Sequence, residues 1–143
     1  MSEDVRTVEV TAPFRHSAGR LGSRFFSALR DEGKLLGWRT GTPPRVIMPP
    51  RDLGGDCEWV PLGPGARLEA FAPADWLAEI GAEDAPDGSL LALVTPDGAD
   101  TALLARLRPG DGTPAPGTRL VARFADERQG AMTDFWFEPV REA

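Results

Sequence analysis

The stretch SLLALVTPDGADTALLARLRPG, residues 89–110, contains two short apolar runs on either side of Pro96-Asp97-Gly98. An Asp-Gly pair supports the positive φ angles that a tight turn between antiparallel strands needs. The stretch therefore predicts a β-hairpin at the centre of the second half of the chain.

Further strand candidates lie on both sides of this hairpin. In the segment after it, Leu120, Ala122 and Phe124 fall on one face of an alternating pattern. A β-sandwich usually has about seven strands, whereas five short strands with frequent turn signals are typical of a Greek-key barrel of the OB type. The five predicted strands lie within residues 66–76, 89–98, 101–110, 118–126 and 133–140.

One helix is predicted ahead of the barrel, from Ser17 to Arg30. Ser17 can cap its start and Gly33 can end it. Its apolar residues recur at helical spacing and form one stripe. The stripe is either part of the core or a docking face for a partner, and the sequence leaves both open. The stripe consists of Leu21, Phe25, Phe26 and Leu29.

Between helix and barrel, residues 34–62 predict short strands in KLLGWRT, RVIMPP and CEWVPLG, with a turn at 41–44. The region has few apolar residues for its length, so we expect it to depend on the rest of the chain. The complete pattern predicts a mainly β protein with an N-terminal helix, a short ribbon and a five-stranded OB-fold barrel.

Composition narrows the classes of function. The chain has 143 residues and a formal net charge of −6, whereas nucleic-acid binding draws most of its affinity from cations that neutralise phosphates. The net charge therefore argues against a nucleic-acid partner. Apolar runs are too short to span a bilayer, and the first residues have no secretory pattern. We expect a cytoplasmic protein without a membrane partner.

Residues suited to catalysis are few. The one histidine, His16, lies ahead of the helix, and the one cysteine, Cys57, stands between Asp56 and Glu58. Negative charges on both sides of Cys57 disfavour a thiolate nucleophile there. The sequence predicts no catalytic residue and a chain that is not an enzyme.

The order of segments resembles the acyl-CoA-associated family that combines a zinc ribbon with an OB fold and partners thiolase-like enzymes. The matching segments are FFSALRDEGKLLGWR (25–39), VIMPPR (46–51), EWVPLGPGARLEAF (58–71), the hairpin (89–110) and TRLVARF (118–124). The resemblance implies three units, residues 1–33, a degenerate rubredoxin-like ribbon at 34–62, and a barrel at 63–143. It also implies a non-catalytic accessory subunit of a thiolase-superfamily acyl-CoA enzyme in lipid, steroid or polyketide metabolism.

The resemblance would place zinc in the ribbon, held by two Cys-x-x-Cys pairs. Here the first pair falls on Thr40 and Pro43, and the second on Gly54 and Cys57. Structural zinc takes four Cys or His ligands, and at most one is present. We therefore expect no zinc.

The ribbon also carries candidates for binding the acyl-CoA that the resemblance implies. Arg39, Arg45 and Arg51 either contact the phosphates of CoA or are solvated. Trp38 and Trp59 either stack on its adenine or pack within the ribbon.

Trp136 is the middle of three consecutive aromatic residues on a predicted strand, so at least one of the three points away from the core. An outward Trp136 is a candidate for the partner interface. The alternative function is a single-stranded nucleic-acid-binding OB module, because such barrels use aromatic faces.

Overall fold

A computed structural model describes residues 5–74 and 88–141, and it confirms the mainly β architecture. The last two residues of the predicted first barrel strand, 75 and 76, lie outside the described residues. The elements are α1 (Gly19–Glu32), β1 (Leu35–Thr40), β2 (Arg45–Ile47), β3 (Glu58–Leu62), β4 (Gly65–Pro73), β5 (Leu90–Pro96), β6 (Leu103–Leu107), β7 (Arg119–Phe124), a 3₁₀ turn (Met132–Asp134) and β8 (Phe135–Pro139).

The helix α1 begins two residues later than predicted, because Ala18 is its N-cap. The Ser17 hydroxyl still accepts a hydrogen bond from the Gly19 N–H, 3.1 Å away. Gly33 ends the helix in the left-handed conformation, with φ of 60°, where glycine has no steric penalty.

The apolar stripe of α1 divides into two parts. Phe25 and Leu29 are fully buried in the core of the protein itself. Leu21 and Phe26 are half-buried and can still be reached from outside. Contact of the stripe with a partner stays a prediction, and it now concerns Leu21 and Phe26 only.

The ribbon is a three-stranded antiparallel sheet in the order β2-β1-β3. Its edge strand β2 is bonded to the barrel hairpin, since the Val46 N–H donates to the Asp100 carboxylate at 2.8 Å. The Met48 N–H likewise donates to the Thr101 hydroxyl at 2.8 Å. These bonds cover an edge that would otherwise expose unpaired backbone groups.

The barrel is closed in the order β4-β5-β6-β8-β7, as expected for an OB-like fold. The predicted hairpin is confirmed as β5 and β6, with Gly98 at φ of 96° in its turn. Closure depends on a short parallel contact between β6 and β8, where Leu107 pairs with Phe137. Parallel pairing brings the carboxyl ends of these two strands to the same edge of the barrel.

A single hydrophobic cluster contains residues from the helix, the ribbon and the barrel, among them Leu29, Met48 and Leu120. The ribbon therefore shares its core with the barrel, as its poor apolar content led us to expect. The division into three units stays a prediction. Among the described helices, none has the length and apolar character needed to cross a membrane.

Candidate functional site

The two ribbon tryptophans pack against each other. Their ring centroids are 4.8 Å apart and their planes are inclined by 60°. Trp38 is 9% exposed, and Trp59 is half-buried. Trp38 therefore offers little surface on which an adenine can stack.

The ribbon arginines do not converge on one point. Arg39 forms an ion pair with Glu58, at 2.7 Å. Arg45 is opposite Thr40 in the strand register, while Arg39 is opposite Val46. Neighbouring residues of a strand point to opposite faces, so Arg39 and Arg45 lie on different faces of the sheet. Their role in binding CoA, with that of the exposed Arg51, stays a prediction.

At the positions that correspond to zinc ligands, the ribbon has a hydrogen-bonded cluster centred on the Thr40 hydroxyl. Thr40 is fully buried, and its Oγ1 lies 3.1 Å from both the Asp52 carboxylate and the Gly54 carbonyl. It accepts a hydrogen bond from the Leu53 N–H at 2.9 Å, and the Cys57 thiol lies 3.5 Å away. The hydrogen bond from the Gly54 N–H, with a smaller contribution from the Thr40 hydroxyl, holds the pKa of Asp52 below its usual range.

This donor set does not fit structural zinc, which takes four thiolate or imidazole ligands in a tetrahedron. Cys57 supplies one thiol, and Thr40 and Asp52 are hydrogen-bonded to each other. In the part of the chain that the structure describes, no three His, Cys, Asp or Glu side chains are grouped so as to hold a metal ion. A metal-free ribbon stays a prediction.

We expect Thr40→Val to reduce the free energy of unfolding by about 1–2 kcal/mol, because it removes a buried hydroxyl that is hydrogen-bonded to Asp52, Leu53 and Gly54. Thr40→Ser is the matched control, since it keeps the hydroxyl and loses only a methyl group. Urea denaturation of both variants measures the difference. A Val variant as stable as the Ser variant would show that the hydroxyl does not hold the ribbon together.

The barrel has an open cleft where the carboxyl ends of β6 and β8 meet. Its volume is about 630 Å³, which lies within the range of about 300–1,000 Å³ that is usual for ligand sites. The Arg108 N–H donates to the Phe137 carbonyl at 2.9 Å and fixes the start of the loop after β6. The lining residues are Arg108, Pro109, Gly110, Asp111, Glu138, Pro139 and Arg141.

The Arg108 guanidinium is held over the face of Trp136, 3.8 Å from the ring centroid. This stacking orients the guanidinium and leaves its N–H groups available at the edge. Among the described residues, no carboxylate lies within ion-pair distance of Arg108, although the charge of Arg108 does help to lower the pKa of Glu138. Arg108 is therefore an oriented cation suited to an anionic group of a ligand.

Asp111 and Glu138 are the carboxylates that line the cleft, and both oxygens of Glu138 accept hydrogen bonds. Oε1 accepts from the Trp136 indole N–H at 2.9 Å, and Oε2 accepts from Arg123 at 3.3 Å. The Trp136 hydrogen bond is the main reason that the pKa of Glu138 lies below its usual range, and Arg123 adds to it. Glu138 therefore stays ionised and helps to position Trp136 below Arg108.

The sequence pointed to one member of this site. Trp136 was a candidate for the partner interface if it faced outward, and it lies half-buried between the buried Phe135 and Phe137; its contact with a partner stays a prediction. Arg108, Arg123 and Glu138 were missed: strand pairing brings the two arginines beside Trp136, whereas Glu138 follows Trp136 by two residues on β8 and so shares its face. The available signal was the sequence RLRPG, residues 106–110, which places Arg108 directly after the apolar strand β6 and before a Pro-Gly turn.

Comparison with solved structures identifies the same fold in other proteins. The structure described as the Ltp2-ChsH2(DUF35) aldolase aligns with a TM-score of 0.61 and 17% identity, over 87% of this chain and 98% of that one. A protein of unknown function from the DUF35 family of Sulfolobus solfataricus aligns with a TM-score of 0.57 and 17% identity, over 85% of each chain. No family model and no curated protein matches the sequence.

The prediction that the chain is not an enzyme is wrong on this comparison, because its fold is that of a solved aldolase. The prediction rested on the lack of a histidine or cysteine constellation. Carboxylates, arginines and backbone N–H groups also serve catalysis, so that lack was insufficient ground for excluding an enzyme.

Proposed function

We propose that the chain is a subunit of an aldolase complex whose second member is a thiolase-like protein and whose substrate is an acyl-CoA. The fold that it shares with the Ltp2-ChsH2(DUF35) aldolase supports this proposal. The reaction would break the bond between the α and β carbons of a β-hydroxyacyl thioester. The hydroxyl proton leaves, the β carbon becomes a carbonyl, and the bonding electrons pass to the α carbon, which is then protonated.

The observation that carries the substrate class is the oriented Arg108 in the cleft between β6 and β8. Planar guanidinium groups match phosphate oxygens, and CoA carries several phosphates. Arg108 would hold such a phosphate, and Arg141, which lines the same cleft, would add a second positive charge.

Binding of the CoA part would contribute to the reaction itself. Binding energy from a remote group of a substrate can position the reacting bond and so raise the rate of the chemical step. The acyl chain would extend from the cleft towards the thiolase-like protein, where the bond is broken.

The test of the complex is affinity purification of the tagged chain from its native host, followed by an assay for cleavage of β-hydroxyacyl-CoA. We expect a thiolase-like protein in near-stoichiometric amount and an aldehyde or ketone product from the reconstituted pair. A chain that purifies alone and cleaves no thioester, alone or with added thiolase-like proteins from that host, would refute the proposal.

We expect Arg108→Ala to raise the dissociation constant of CoA about 10- to 30-fold, because one charge-assisted hydrogen bond contributes roughly 1.5–2 kcal/mol. Arg45→Ala is the comparison variant, since Arg45 is an exposed arginine of the ribbon and the sequence made it an alternative contact for CoA. Isothermal titration calorimetry with CoA measures both variants. If Arg45→Ala weakens binding and Arg108→Ala does not, the ligand belongs to the ribbon and the proposed cleft is wrong.

Single-stranded nucleic acid is the second candidate ligand, favoured by the stacking of Arg108 on Trp136 on the outside of an OB-like barrel. Arg123 also lies on this face, next to Trp136 in the strand register. Titration with labelled oligonucleotides at several salt concentrations separates the two ligands. Tight binding that falls steeply with salt supports nucleic acid.

A further inference from the structure

Residues 5–18, called the arm here, are exposed throughout and have no helical or strand structure. The arm carries large apolar side chains that are almost completely in water: Val8 is 79% exposed, Val10 is 80% exposed and Phe14 is 84% exposed. In an extended chain, alternate side chains share a face. In an extended arm, Val8, Val10, Ala12 and Phe14 would therefore share one face, opposite Thr7, Glu9, Thr11 and Pro13.

The outer side of the barrel has a matching depression, called the groove here. Ala70 of β4 is beside Leu93 of β5, and Leu93 is beside Leu104 of β6. Small residues on β4 and leucines on β5 and β6 leave a hollow of about 220 Å³. All of its lining residues are apolar, namely Ala70, Phe71, Ala72, Leu91, Leu93 and Leu104.

The size of the groove favours a side chain over a small molecule as its occupant. Ligand cavities usually have volumes of about 300–1,000 Å³, and this hollow is smaller. It crosses three strands, which places its sides about 10 Å apart. The arm from Val10 to Phe14 extends about 13 Å, so this segment can cross the groove with Phe14 in the hollow.

Within residues 5–74 and 88–141, the arm and the groove together contain most of the exposed large hydrophobic side chains. Eight large hydrophobic residues of the described chain are exposed, and six of them lie in the arm or the groove. The arm does not cover the groove of its own chain, because Phe14 is 84% exposed and Leu104 is 55% exposed. Exposed apolar surfaces of this kind mark interaction sites.

We propose that the arm of one copy of the chain docks in the groove of a second copy. If each copy gives its arm to the other, the two contacts are equivalent and the assembly closes as a two-fold dimer. The chain itself supplies both halves of this interface, an extended apolar segment and an apolar hollow of side-chain size. The inference is independent of the aldolase function.

Sedimentation equilibrium tests the proposal on the full chain. We expect wild-type protein to approach twice the monomer mass of 15.4 kDa at micromolar concentrations. Phe14→Asp and Leu104→Asp should each be monomeric at the same concentrations. Leu53→Asp is the control, because Leu53 is 46% exposed and lies outside both surfaces, and it should remain dimeric.

Mixing the two monomeric variants gives the decisive result. Phe14→Asp keeps an intact groove and Leu104→Asp keeps an intact arm, so the mixture should form a one-to-one dimer through one contact, at least tenfold weaker than wild type. Far-UV circular dichroism spectra that match wild type, with cooperative melts, would show that each variant is folded. A monomeric wild-type chain, a mixture that stays monomeric, or equal dissociation of Leu53→Asp would overturn the proposal. An arm that is needed only for binding a thiolase-like partner, and not for dimerisation, would also overturn the proposal.

Discussion

We expect Phe137→Ala to lower the free energy of unfolding by about 4 kcal/mol, because Phe-to-Ala changes in a core typically cost 3–5 kcal/mol. Phe137 is completely buried. It pairs with Leu107 across the parallel contact and with Ala122 on the other side, and its ring meets Phe135 edge-on at 5.9 Å. Its removal leaves a cavity at the point where the barrel closes. Urea denaturation, monitored by circular dichroism, measures the loss.

The neighbouring residue is the control for this prediction. Trp136 lies on the same strand but points outward, stacked on Arg108. We expect Trp136→Ala to cost about 1 kcal/mol in stability and to weaken CoA binding as much as Arg108→Ala, because Arg108 loses its support. If Phe137→Ala is as stable as Trp136→Ala, the closure of the barrel through β6 and β8 is wrong.

We expect Asp134→Ala to lose about 3 kcal/mol, because a buried carboxylate that receives several charge-assisted hydrogen bonds disappears. Asp134 is 4% exposed. Its oxygens accept from the backbone N–H groups of Gln129 at 3.1 Å, Gly130 at 2.7 Å and Ala131 at 3.1 Å. These bonds fold the loop between β7 and β8, whose Arg128 donates to the Arg30 carbonyl of the helix at 3.1 Å.

The contribution of Asp134 should depend on pH. Burial alone raises the pKa of Asp134, but hydrogen bonds from Gln129, Ala131 and Gly130 outweigh burial and hold that pKa below its usual range. A carboxyl whose pKa is lowered by folding stabilises the protein above its unfolded pKa of about 3.9. This stability is lost as pH falls through the lower folded pKa. The difference between wild type and Asp134→Ala should therefore be constant near neutral pH and shrink below about pH 4.

Urea denaturation of both proteins across this pH range checks the prediction. Asp126→Ala is the control, because Asp126 lies in the same loop and is exposed; it should change stability by less than about 0.5 kcal/mol. If the difference in free energy of unfolding between wild type and Asp134→Ala stays the same below about pH 4, the charge of Asp134 is not what stabilises the loop.

The candidate site could be predicted only in small part. Trp136 was recognisable, because three consecutive aromatic residues on a strand must place at least one outside. The ribbon arginines looked equally suited to phosphate, yet the strand register puts Arg39 and Arg45 on opposite faces. Spacing along the chain indicates which residues share a strand, but it does not indicate which strands become neighbours.

The sequence by itself determined the helix, the ribbon strands, the β5–β6 hairpin and the other barrel strands. These features depend on local periodicity and turn chemistry, which the hairpin turn at Asp97-Gly98 illustrates. Only the tertiary structure decided that β6 lies parallel to β8, which brings Arg108 over Trp136 although β7 and two loops separate them in the chain. It also decided that Phe25 and Leu29 are core residues while Val8, Val10 and Phe14 are exposed. Such outcomes depend on which apolar faces find a partner in three dimensions, and no local pattern contains that information.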